Sequence, residues 1–101
     1  MITVQVTRNH SQYSLHVQGH AEFDNYGSDI ICAGVSTIVF GGINALGQYL
    51  DGDEWFQIKG NTIKIMIQEC NHEIDIILET ILWQLKTMED SFPENIKIQE
   101  V

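Results

Sequence analysis

The chain has 101 residues, 44% of them hydrophobic, with 5 basic and 14 acidic side chains that give a formal net charge of -9. That length favours a single domain over residues 1–101 with one modest core. The charge argues against direct nucleic acid binding and against anionic membranes, and for a basic partner or simple solubility.

Ile2–Arg8 alternates, with Ile2, Val4 and Val6 on one face and Thr3, Gln5 and Thr7 on the other, and Tyr13–Gly19 repeats the pattern with Tyr13, Leu15 and Val17. With the polar Asn9–Gln12 between them, these predict a hairpin with one wet face. The start of the chain also lacks the basic residues and apolar block of a signal peptide. His20–Gly27 reads as a polar loop. Ser28 then stands as a helix N-cap with Asp29 in the first turn, opening a helix predicted to run to about Leu50.

From Ile30 to Gly47 this helix carries no charge, close to the ~20 residues of a membrane span. Four glycines and the acidic flanks Asp29, Asp51 and Asp53 favour a buried helix instead. Gly34, Gly41, Gly42 and Gly47 predict a very close neighbour, either the sheet or a second subunit. Asn44, polar within that helix, calls for a partner, with a subunit interface as one source.

Trp55–Lys59 and Thr62–Gln68 predict a second hairpin around Gly60-Asn61. Asn71 caps a second helix whose apolar stripe is Ile74, Ile77, Leu78, Ile81, Leu82, Leu85 and Met88, with Ile76 and Trp83 off the stripe. Pro93 ends that region, and Asn95–Val101 reads as a last strand. The order β-β-α-β-β-α-β implies an α+β two-layer sandwich, a mostly antiparallel sheet with two helices packed on one face.

The chemistry concentrates between the first hairpin and the first helix. His20 ends a strand, and Cys32 lies in or just beyond the first turn of a helix. Unpaired N–H groups and the positive end of the helix dipole favour a thiolate there, and a histidine within reach could take the thiol proton and return it to a leaving amine. Gly19 allows close backbone approach beside the histidine. Ala21, Glu22 and Phe23 lie in the intervening loop, where they could cover the site and meet substrate. Asp29 could orient His20 or steady the helix start. Ser36, one turn after Cys32, could touch the site or bond back to the Cys32 carbonyl.

Against this stands an inert buried cysteine, the commoner fate of that residue. Two cysteines without paired spacing argue against a disulfide scaffold and fit a reducing, cytoplasmic setting. Cys70 reads as structural. His16, His20, Cys32 and His72 lack a recognised metal-ligand spacing, so neither metal nor cofactor is expected.

The run Gly19-His20-Ala21, then Tyr26-Gly27-Ser28-Asp29-Ile30-Ile31-Cys32-Ala33-Gly34-Val35-Ser36, resembles the motif of the ribosomal-processing cysteine protease family, Prp. The similarity continues through Phe40–Leu46 and returns in Ile77–Leu82 and Glu94–Ile96, so it covers essentially the whole chain. Ser28 is a mild departure that touches only capping. The resemblance implies a homodimeric cysteine endopeptidase that removes a short N-terminal extension from a bacterial large-subunit ribosomal protein. It places the family's catalytic cysteine on Cys32 and histidine on His20, and its motif glycine, aspartate and serine on Gly19, Asp29 and Ser36. Two other readings use the same residues. One is a non-catalytic acidic dimeric module that binds a basic ribosomal protein tail. The other is a thiol redox sensor built on Cys32, indifferent to loss of His20.

Overall fold

A computed structural model describes residues 1–19 and 28–101, except the side chains of Ser28 and Asp29. The elements are β1 (Ile2–Asn9), β2 (Gln12–Gln18), α1 (Ser28–Leu46), β3 (Phe56–Lys59), β4 (Thr62–Ile67), α2 (His72–Ser91) and β5 (Ile96–Glu100). The sheet order is β3-β4-β2-β1-β5. The β1–β2, β2–β4 and β3–β4 pairs are antiparallel, while β5 runs parallel to β1 with Ile2 opposite Ile96. The predicted α+β class, its mostly antiparallel sheet and the element order all hold.

Period-two alternation decides which face of the sheet is covered. Ile2, Val4 and Val6 of β1, Tyr13, Leu15 and Val17 of β2, and Ile63, Ile65 and Ile67 of β4 are all buried. Against them α1 lays Ile31, Val35, Val39, Ile43 and Leu46, and α2 lays Ile74, Leu78, Ile81, Leu82 and Leu85. Each such large aliphatic side chain contributes about 1.5–3 kcal/mol by leaving water.

Two glycines of α1, Gly34 and Gly42, serve a helix-to-helix contact. A Cβ on Gly42 would lie 2.3 Å from Cδ1 and 2.6 Å from Cγ1 of Ile81, and one on Gly34 would lie 2.9 Å from Cε of Met88. The close neighbour of these two is therefore α2, where the sequence pointed to the sheet or a second subunit. These two contacts also fix the pair as antiparallel, with the start of α1 beside the end of α2.

Two further details differ from the sequence expectation. The regular helix α1 stops at Leu46, because Gln48 and Tyr49 donate to the carbonyls of Ala45 and Leu46, three residues back, and tighten the last turn. Asn44 is exposed in the single chain, so it needs no partner from within that chain. The cap of α2 is as expected: the Asn71 side chain accepts from the Ile74 amide at 2.9 Å. No helix among the described residues is long and apolar enough to cross a membrane.

Candidate active site

Gly19 follows directly on β2. Its φ is +89° and its N–H donates to the Asn61 carbonyl at 3.0 Å. A Cβ there would lie 2.6 Å from the Met1 carbonyl oxygen, so both the dihedral and the close backbone approach require glycine. The chain therefore leaves the sheet at a fixed point. His20, Ala21, Glu22 and Phe23 lie outside the described residues, as does the side chain of Asp29, and so does the expectation of a covering loop.

A series of contacts leads from Gly19 to the turn that carries Cys32. Gly19 abuts Met1, and the Ile2 N–H donates to the Asn95 carbonyl at 2.8 Å. The Asn95 N–H donates to the Phe92 carbonyl at 2.9 Å, and the Phe92 N–H to the Met88 carbonyl at 2.8 Å, which closes the C-terminus of α2. The Met88 side chain then meets Gly34, two residues beyond Cys32. The strand end before His20 and the first turns of α1 thus belong to one end of the molecule.

On that end Cys32 is half-buried and its sulfur is not in a disulfide. Its Sγ lies 4.0 Å from Ser36 Oγ, at the long limit of an O–H···S contact, and either atom could be the donor. Ser36 thus lies beside the sulfur. A bond back to the preceding turn's carbonyl is made by its neighbour, with Thr37 donating to the Ala33 carbonyl at 2.7 Å.

Cys70 is unlike it. It sits at the far end, just before α2, where its N–H donates to the Ser11 carbonyl at 2.8 Å. It shares a cavity of about 470 Å³ with Arg8, Tyr13 and Asp75. Burial pushes its thiol above the ordinary value, and the negative Asp75 carboxylate adds to that rise. Both effects oppose a thiolate, which a nucleophile needs. Among the described residues no three His, Cys, Asp or Glu side chains gather as metal ligands would.

Comparison with known proteins decides what this thiol-bearing end belongs to. The family model for the cysteine protease Prp matches residues 1–97. The chain belongs to the Prp family, and it is a cysteine protease. The ribosomal processing cysteine protease Prp of Staphylococcus aureus strain Mu50 is 35% identical over 109 residues, with 97% of each chain covered. Two crystal structures of the essential ribosomal processing protease Prp from S. aureus superpose over the whole of both chains. The one in complex with a substrate peptide gives a TM-score of 0.86 at 31% identity. The one in complex with a covalently linked product peptide gives 0.84 at 33%.

The residues that hold this Prp end together were not singled out by sequence reasoning. Met1 and Asn61 contribute backbone carbonyls, and Met88 contributes a thioether that reads as one more apolar stripe position. Pattern reading sees side-chain chemistry, so backbone roles of this kind leave no signal in it.

Proposed function

We propose that this Prp protein cuts the N-terminal extension from a bacterial large-subunit ribosomal protein precursor in the cytoplasm, using Cys32 as nucleophile and His20 as general acid and base. The observation that carries this reading is the shared end of the fold. Gly19, the residue before His20, is pinned to the Met1–Asn95–Met88 end against which the Cys32 turn of α1 packs. The covalently linked product peptide in the S. aureus relative supports a covalent route.

In that route His20 takes the Cys32 proton and the thiolate attacks the scissile carbonyl carbon. The tetrahedral oxyanion collapses as the C–N bond breaks and His20 protonates the departing amine. Backbone N–H groups near the start of α1 are suited to the oxyanion. Water, deprotonated by His20, then hydrolyses the thioester and frees the thiol. Asp29 orients His20 or the helix start, Ser36 lies against the sulfur, and Ala21, Glu22 and Phe23 contact the peptide.

The protein acts as a homodimer in this reading, joined through the outer face of the helix pair. A groove of about 400 Å³ there is lined by Ile38, Gly41, Ala45, Ile76 and Ile81, and Trp83 nearby is 59% exposed. Thr37, Thr80 and Thr87 turn their hydroxyls to carbonyls one turn back, which makes this face more apolar than its composition suggests. Sedimentation should give the mass of two chains.

The deciding experiment is incubation with the precursor that carries its extension, followed by mass spectrometry. Cleavage is expected with the native protein and lost in both Cys32→Ala and His20→Ala. Binding without cleavage would favour the acidic module. Activity that persists without His20 would refute the dyad.

A further inference from the structure

At the end of the molecule opposite Cys32, a groove of about 610 Å³ runs between the segment after α1 and the outer part of β4. Its apolar floor is Leu50, Trp55, Met66 and Ile67, and its rim carries Asp51, Glu54 and Glu69, with no cation among its lining residues. All three carboxylates are exposed, and none is ion-paired among the described residues. Trp55 is held as a platform: its Nε1–H donates to the Gly52 carbonyl at 3.1 Å, and its ring centroid is 4.7 Å from that of Phe56. Met66 beside it is 52% exposed.

A fixed indole, a flexible thioether and three unpaired carboxylates fit a segment of polypeptide in which Lys or Arg alternates with apolar side chains. The ammonium or guanidinium groups would meet the rim and the indole face, and the apolar groups would cover Met66 and Leu50.

We propose that this groove is a docking site for the basic part of the substrate on the carboxyl side of the cut. The inference rests on the proposed function, and it adds a length requirement. Between Cys32 and Leu46 the helix rises about 21 Å at 1.5 Å per residue. An extended chain covers that in about six residues. Basic residues closer to the scissile bond than this cannot reach the groove.

The test uses two peptides with the same cleavage sequence. One ends about three residues after the cut, and the other continues about twelve residues further with Lys and Arg. With the native protein the long peptide should show a KM about ten-fold lower at equal kcat, the sum expected of three exposed ion pairs. Added salt should erase the difference. Asp51→Lys/Glu54→Lys/Glu69→Lys should raise KM for the long peptide to that of the short one and leave the short one unchanged. Glu54→Lys alone should shift KM about two-fold, should the triple variant not fold. An unchanged KM for the long peptide in these variants overturns the docking site. If the native protein cuts neither peptide, the proposed function fails instead. Fluorescence polarisation of the labelled long peptide on Cys32→Ala protein, with and without the rim substitutions, then still decides the groove.

Discussion

Gly41 and Gly42 are adjacent in the interior of α1, yet replacing each by alanine should act in opposite directions. Within its own chain a methyl on Gly41 meets nothing within 4 Å, whereas one on Gly42 falls 2.3 Å from Cδ1 and 2.6 Å from Cγ1 of Ile81. Carbon pairs rest at about 3.5–4.0 Å, so the second methyl forces Ile81 or the helix pair to move by about 1 Å. Ile81 is 3% exposed and branched at Cβ, so it has little room to turn. Overpacking of this kind costs about 1–3 kcal/mol. Both substitutions gain about 0.8–1 kcal/mol of helix propensity. That gain cancels in the comparison, and the difference between the two variants is the overpacking cost itself. Urea unfolding at one protein concentration, followed by circular dichroism, should place the Gly41→Ala midpoint above the native one. Gly42→Ala should unfold about 1 M lower than Gly41→Ala. Ile81→Ala should cost about 2–5 kcal/mol alone, and less when combined with Gly42→Ala, whose methyl occupies part of the vacated space. Equal shifts of the same sign for the two glycines would refute this account of how the helices meet.

Two further outcomes rest on titration. Cys70 should be alkylated by iodoacetamide more slowly than a free cysteine throughout pH 7–9, because burial and Asp75 raise its thiol and leave less thiolate; peptide mapping reads this directly. His16 is held below the ordinary histidine value by burial and by the positive Lys64 opposite it in the sheet, and its Nε2 is buried with no hydrogen-bond partner among the described residues. The unfolded chain then binds the proton more readily than the native one. This group's contribution to stability should be level above about pH 6.5 and fall as pH drops below it. Urea unfolding of His16→Gln across that range should lack this part of the slope; an identical slope in the variant contradicts it.

What the sequence disclosed follows the range of the forces involved. Alternation in Ile2–Val6, Tyr13–Val17 and Ile63–Ile67 is a local record of one buried face, and the structure buries those residues. The Asn71 cap spans three residues and was equally plain. The order β3-β4-β2-β1-β5 was not, since the β2–β4 and β1–β5 pairings join segments far apart in sequence and no short pattern selects between edges. The end of α1 was set by a tightened turn at Ala45–Tyr49 that apolar periodicity does not register. At the site, Cys32, Ser36 and Gly19 could be named from spacing, and the 4.0 Å contact of the first two follows from a helical i, i+4 step.

Cys32 and Gly19 are positioned by different means. Cys32 rides on a helix whose place is set by packing, with Val35, Val39 and Leu46 wholly buried and Gly34 and Gly42 drawn against α2. Shifting its Cα requires disturbing the core, where close packing transmits strain. Gly19 depends instead on main chain: its N–H donates to the Asn61 carbonyl, and it packs against the Met1 carbonyl. Any side chain at Gly19 meets the Met1 carbonyl oxygen at 2.6 Å in a left-handed backbone conformation, and no rotamer change relieves a contact with main chain. The sheet end must move, or the strand must release it early. Glycine at position 19 is therefore required by backbone geometry, independently of the chemistry of the histidine that follows it.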